Sequence, residues 1–381
     1  MKLNRILISS ALLISASAFA QQVAPVHSDV LFKKGDEGVN TYRIPALVQA
    51  NDGSIVVFAE ARQDGGGDTG DINLVSRRST DGGKTWSDII TVWDDGENVC
   101  GNPCPVVDRE TGRIILLSTW NNGKDPERNI HARTSIDTRR IFVMYSDDNG
   151  LTWSKAREIT SQTKLPEWTW YATGPCHAIQ LRKGPHKGRI VAPCNHGVFG
   201  AGTVSHVIYS DDKGETWHIG GDPGVGNEST VTELKDGSVL LNMRDAKWTK
   251  DQARIDNGAA RLCAISRDGG RTFGQYYYDR NLIEPVCNAS IVNYAPGGKL
   301  SRTLLFSNPA DKLNRKNMTI KQSNDSGKTW DIAYRLGDLP AAYSDILVLD
   351  NGDVAIFYET GEKSCYETLT FTIIPSEVFK K

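Results

Sequence analysis

The chain has 381 residues, of which 39% are hydrophobic and 24% charged, with a formal net charge of −2, a composition that excludes a disordered or fibrous protein. Its 44 basic residues are balanced by 46 acidic ones, so nothing suggests the basic stripe or patch that nucleic-acid binding calls for. Partners are therefore small, neutral, or read by local charge alone.

In chain order, Lys2 and Arg5 precede an apolar run from Ile6 to Ala20 that ends in Ala18-Phe19-Ala20, the pattern of a secretory signal peptide with its small-residue cleavage site. A transmembrane anchor needs about 20 apolar residues, and this run is shorter. No Cys follows the cleavage site to take a lipid. The expected organisation is a signal peptide over residues 1–20 and one domain over 21–381, without a membrane anchor, in a periplasmic or secreted protein.

Tyr42-Arg43-Ile44-Pro45 opens the mature region, and the apolar run Ile55 to Ala59 reads as a strand. A loop from Arg62 to Asp71 follows, rich in Gly and carrying Asp64, Asp68 and Asp71; such a loop is expected to be mobile. Next comes Ser79-Thr-Asp-Gly-Gly-Lys-Thr-Trp86, which recurs as S-x-D-x-G-x-T-[WF] from Ser146, Ser210, Ser266 and Ser323, so copies start 67, 64, 56 and 57 residues apart. A roughly fixed period of this size marks stacked or radial supersecondary units. Asp and Gly supply turn chemistry, and β-rich runs precede the copies at Ile141–Tyr145, His206–Tyr209 and Met318–Gln322. Each copy is thus a hairpin turn rather than a site.

Further strands are expected at Ile114–Ser118, Arg189–Ala192, Val239–Met243, Thr303–Ser307 and Val354–Tyr358. About 60 residues per unit gives six units, and the pattern predicts an all-β fold: a six-bladed β-propeller of four-stranded antiparallel blades, the sixth lacking a recognisable turn repeat. Seven Cys are too few for a disulfide scaffold in a chain this long and are read as core residues with one or two bridges. No C-x-x-C or zinc-finger spacing occurs, so no metal is expected.

The turn repeats resemble the Asp boxes of the sialidase superfamily, which also occur in unrelated propellers. The resemblance becomes specific in the order Arg43, Asn227-Glu228-Ser-Thr230, Arg244 sixteen residues after Glu228, Arg315, Ala342-Tyr343-Ser-Asp345 and Tyr358-Glu359, which is similar to that of bacterial and animal exo-α-sialidases over essentially the whole mature chain. Taken singly, each Arg reads as a solvated surface residue and Tyr343 as one of 12 tyrosines.

The resemblance implies that Arg43, Arg244 and Arg315 clamp a sialic acid carboxylate, a task for planar multidentate donors. It makes Tyr343 the nucleophile, Glu228 its base, and Asp68, ahead of Asp71 and Asp64, the acid that protonates the leaving oxygen. A neutral Tyr avoids the repulsion an anionic nucleophile would meet beside the substrate carboxylate, and sialidases with a Tyr nucleophile depart from the two-carboxylate scheme of other glycosidases. Glu359 would orient Arg43 and Arg62 would line the hydroxyl side of the sugar.

Where many bacterial sialidases have an Asp facing the N-acetyl group, this chain has Gly101-Asn102-Pro103-Cys104-Pro105. Asn102 therefore stands at the expected acyl side, Trp120 is read either as a wall of that pocket or as a blade-core aromatic, and preference among sialic acids is left open. The implied activity is hydrolysis of terminal sialic acids from sialylated glycans with retention, without metal or organic cofactor. Alternatives are a trans-sialidase or deaminated-sialic-acid hydrolase on the same site, and a non-catalytic carbohydrate-binding propeller, against which the presence of the triad and the Tyr/Glu pair speaks.

Overall fold

The computed structural model describes residues 23–247 and 249–380; the expected signal peptide lies outside them. Strands dominate throughout. Thr41–Gln49, Ile55–Arg62, Ile72–Ser79 and Ile90–Trp93 pair antiparallel in sequence order. Val99–Val107, Ile114–Asn121, Arg140–Ser146 and Arg157–Glu158 do the same. One parallel bridge, Ile72 to Val99, joins these two groups into an eight-stranded sheet.

A five-stranded sheet follows: Trp168–Thr173, Ile190–Val198, Gly202–Ser210 and His218–Ile219, with Ile179–Gln180 beside the second. Two four-stranded sheets come next, Ser229–Glu233 through Tyr277–Ile283 and Ser290–Asn293 through Asp331–Arg335. The last sheet holds Ala341–Val348, Val354–Thr360 and Thr368–Ile374, and its fourth member is His27–Lys33 from the other end of the chain. The described residues thus form five sheets, one of them double.

The sheets are arranged like a propeller because each buries both faces against its neighbours. Phe58, Ile114 and Met144 fill one seam; Leu117, Tyr171 and Ile208 fill the next. Seams at Val207–Leu241, Leu240–Phe306 and Ile320–Ile356 continue the series. Phe32, Phe357 and Phe371 then pack on Tyr42 and Val57, returning the last sheet to the first. All six strands expected at Ile55, Ile114, Arg189, Val239, Thr303 and Val354 fall on the second strand of a group, with starts at Ile190 and Leu304 one residue later than expected.

Every turn repeat follows the third strand of its group and closes in one way. The Ser hydroxyl accepts the Gly amide at 2.8 Å in all five copies. The Asp carboxylate takes the Thr amide and hydroxyl, at 2.9 and 2.7 Å for Asp268 and Thr272. That bonded Gly sits at φ between 86° and 90°, backbone that a side chain would strain.

The expectation of one or two disulfides fails. All seven cysteines are free thiols, six of them buried among core side chains: Cys100 lies with Phe58, Cys104 and Cys194 with Leu117, Cys263 with Phe306 and Cys287 with Tyr343.

Candidate active site

Two first strands carry the same local device. Between Arg43 and Ala46 the register slips, and Ile44 adopts φ 62° before Pro45; between Gly101 and Cys104 it slips again, and Asn102 adopts φ 54° before Pro103. A bulge of this kind re-aims the flanking side chains, and a β-branched residue at positive φ is strained backbone that persists only when its surroundings enforce it. The enforcing group is Glu359. Its fully buried carboxylate accepts the Ile44 amide at 3.0 Å, Arg43 Nε at 3.0 Å, Arg43 Nη2 at 3.3 Å and the Tyr343 amide at 3.0 Å. One side chain thus ties the Arg43 bulge to the strand that presents Tyr343.

Tyr343 Oη donates to Glu228, with Oε1 at 2.6 Å and Oε2 at 2.5 Å. Arg244 Nη1 reaches the phenol oxygen at 2.9 Å and also pairs with the same carboxylate. Glu228 and Arg244 flank a strand pair, Ser229–Glu233 against Val239–Met243, and the Arg244 amide on the Glu228 carbonyl at 2.9 Å extends that ladder to both. Arg315 stacks at 5.4 Å from the Tyr343 ring centroid and donates to Tyr366 Oη at 2.7 Å, while Arg43 lies 5.2 Å from the Tyr343 centroid and 4.2 Å from that of Tyr366. Burial pushes the Tyr343 pKa well up and the Glu228 charge adds to it, against Arg244 and Arg315. The phenol is therefore neutral at rest. Burial opposes the Arg43 charge, yet Glu359 and the two tyrosines more than offset it, so its pKa is raised.

Arg43, Arg244, Arg315, Glu228, Tyr343, Arg62, Asp68 and Asn102 all line one cavity of about 290 Å³. Asp68 is the only one of the three loop aspartates among its lining residues; Asp64 instead accepts the Asp71 amide at 3.1 Å and closes the loop. The loop expected to be mobile is pinned by Arg62, whose Nη1 donates to the carbonyls of Gly66 at 2.7 Å and Gly67 at 2.8 Å and meets Asp68 at 2.8 Å. Its Nε and Nη2 are held by Glu60 at 2.9 and 2.6 Å. Arg62 therefore anchors the loop besides lining the cavity. Burial raises the Asp68 pKa, but Arg62 and Arg43 outweigh it and the net shift is downward.

Trp120 does not wall this cavity. Strand side chains alternate, so Thr119 and Asn121 face Asn102 and Arg139, while Trp120 points to the opposite face and donates to Asp95 at 2.7 Å. The aromatic wall is Trp170 instead, under the Arg139 guanidinium at 4.0 Å. Arg139 escaped the sequence reading. Its Nη1 binds Asn121 at 2.6 Å, its Nη2 binds Thr119 at 2.8 Å and also reaches Asn102, and burial pulls its pKa down to about 10.

Glu60 was also missed. It accepts the Asn102 amide at 2.7 Å, and a Cβ on Gly101 would fall 2.4 Å from its oxygen, so a larger residue there would push the carboxylate off that amide. Glu60 and Arg62, two residues apart in an otherwise apolar buried strand, were the available signal, since i and i+2 share a face.

Among the described residues, Cys176, His177 and Asp345 bring metal-ligating atoms within 4.8 Å of one another. Asp345 is already engaged by His177 at 2.7 Å, Ser290 at 2.7 Å and the Leu47 amide at 3.1 Å. Burial holds the Cys176 thiol protonated. The group braces the strand of Tyr343 rather than offering free ligands.

Residues 53–356 match the family model described as BNR repeat-like domain. The chain is 34% identical to a sialidase of Micromonospora viridifaciens over 91% of its own length and 55% of the relative's. It is 30% identical to a sialidase of Bacteroides fragilis over 86% and 61% of the two chains. The chain thus spans little more than half the length of these curated relatives. Among solved structures, the Hadza microbial sialidase Hz136 superposes with a TM-score of 0.78 at 31% identity, covering 90% of this chain and 67% of the other. A leech intramolecular trans-sialidase superposes with a TM-score of 0.76 at 19% identity, over 92% and 70%; at that identity it speaks for the fold alone.

Proposed function

Since the chain belongs to the BNR-repeat sialidase superfamily, we propose that it is an exo-α-sialidase releasing terminal sialic acids from sialylated glycans with retention. The observation that carries the proposal is the Tyr343 hydroxyl within 2.6 Å of both Glu228 oxygens in a cavity lined by three arginines. The substrate carboxylate seats among Arg43, Arg244 and Arg315.

The adjacent anomeric carbon is then attacked by Tyr343 Oη as its proton passes to Glu228. Asp68 protonates the departing oxygen; water, activated by Asp68, hydrolyses the glycosyl-tyrosine, and the double displacement retains configuration. An anionic sugar arriving between the arginines and Asp68 offsets their charge and excludes water, and both effects raise the pKa of Asp68 toward that of a proton donor.

The sheets are read as six blades. The double sheet divides at its single parallel bridge, and the apolar seams run around the ring from the first group back to it. Residues 1–20 are read as a cleaved leader, which places the enzyme in the periplasm or outside the cell; no helix among the described residues is long and apolar enough to cross a membrane.

The test is release of a fluorescent aglycone from an α-linked N-acetylneuraminic acid glycoside, with the anomer of the first product read by NMR, for wild type and Glu228→Gln. Turnover with the α-anomer formed first, lost in the variant, supports the proposal. An inert wild type would sink it, and a β-anomer would overturn the Tyr343 mechanism.

A further inference from the structure

Trp120, excluded from the cavity, opens onto a second depression on the outer side of the same sheet. This groove, of about 500 Å³, is lined by Trp93, Trp120 and Phe142, with Asp95, Arg140 and Lys155 among them. The rings of Trp93 and Phe142 meet at 4.7 Å between centroids, and Arg140 lies 5.1 Å from that of Trp120. All three aromatics remain partly exposed. Partly exposed aromatics with a few convergent polar groups suit a small ligand whose faces are apolar and whose edges carry hydroxyls.

Charge narrows the occupant. Arg140 is paired with Asp137 and lies 3.7 Å from Glu158, while Asp94 and Asp95 sit across from Lys155. Four carboxylates stand against two cations, so the groove disfavours an anion and leaves a neutral polyol. Position narrows it further. The ridge between groove and cavity is bonded to the loop that carries Asp68: the Gly70 amide donates to the Gly123 carbonyl at 2.9 Å, Ile72 to Asn98 at 3.2 Å, and Gly123 to the Asn98 side chain at 3.2 Å. Ile72 and Val99 line the cavity, and Asp95, four residues before Val99, lines the groove with Trp120, so the two depressions share this segment.

We propose that the groove lined by Trp93 and Phe142 binds an uncharged hexose unit of the glycan chain that bears the cleaved sugar, a subsite resting on the sialidase reading above. It contributes affinity for long glycans and nothing to the bond-breaking step. The experiment compares wild type, Trp93→Ala, Phe142→Ala and the exposed-site change Lys155→Ala on a small aryl α-sialoside and on a sialylated oligomer of several lactosamine units. In parallel, a lactosamine oligomer without sialic acid is titrated into each protein and followed by NMR.

Loss of one stacking ring is expected to lower kcat/KM on the oligomer about tenfold and to abolish the titration shifts, with the aryl sialoside unchanged. Lys155→Ala, which leaves the packing intact, should lower oligomer binding by roughly threefold, the scale of one exposed polar contact. Absence of shifts in wild type, or equal losses on both substrates, would overturn the subsite. If wild type cleaves neither substrate, the activity reading fails, while the titration still decides the groove.

Discussion

Replacing Glu359 by Gln removes one charge from a carboxylate with four donors converging on it. In the best orientation the amide oxygen keeps Arg43 Nε and the Ile44 amide, both at 3.0 Å, and the new NH2 group confronts Arg43 Nη2 and the Tyr343 amide. One charge-assisted bond, worth about 1.5–3 kcal/mol, and one buried backbone bond, about 1–3 kcal/mol, are lost. The Arg43 guanidinium is left buried without its counter-charge, and breaking such a pair costs about 3–5 kcal/mol. These figures describe the same loss and agree, so the expected destabilisation is roughly 4 kcal/mol. For a chain of this size that lowers Tm by about 5 °C. Ile44, held at φ 62° by this carboxylate, should relax and swing Arg43 out of line, so affinity for a non-hydrolysable sialic acid analogue should fall by about tenfold or more. Calorimetry and an equilibrium titration read the two effects. A Tm within about 1 °C of wild type, with unchanged affinity, would refute the reasoning that Glu359 enforces the Arg43 bulge.

Tyr343→Phe deletes the nucleophile but leaves the arginines, so turnover should drop by about 10³-fold or more while analogue binding stays within about threefold; isothermal titration beside aglycone release separates the two. Asp68→Asn should lose about 10²–10⁴-fold on a poor leaving group and much less on an activated aryl leaving group, and equal losses on both would remove Asp68 from the acid role. Buried His196 contacts His206, with Nδ1 to Nδ1 at 3.1 Å; burial lowers its pKa to about 4 and also holds that of His206 well down. Neutral His is favoured in the fold, so this stability is present above the unfolded pKa near 6.5 and is lost as pH falls toward 4. The loss for His196 is roughly 3 kcal/mol, and a urea midpoint that stays flat from pH 6.5 to 4 in wild type, or an equal acid loss in a His196→Gln His206→Gln double variant, would contradict it. Asp268→Ala should cost about 1–2 kcal/mol through its bonds to Thr272 and leave turnover unchanged; a loss of activity at the melting point of wild type would give that turn a role beyond structure.

The turn repeats made the architecture legible, because Ser, Asp, Gly and Thr each perform a local bond that survives any tertiary setting. Arg43, Arg244, Arg315, Glu228 and Tyr343 were legible only through family pattern, since no local rule distinguishes Arg244 from a surface Arg. Arg139 was invisible: its partners Asn102, Thr119 and Asn121 are neutral and come from two other strands. Trp120 was misplaced because strand parity was not followed from Thr119. Counting alternate residues outward from a known inward position would have sent Trp120 away from the cavity and left Asn121 inside.

The pairing of His27–Lys33 with Thr368–Ile374 has a consequence in time rather than in energy. Ser28 bonds Thr372 across 344 residues, so the ring cannot shut until nearly the whole chain has emerged. Contacts of such separation form late and slowly. Until then the first and last sheets expose the aromatic faces of Phe32, Phe357 and Phe371, and the chain stays an unlatched ribbon whose final strand is the catch.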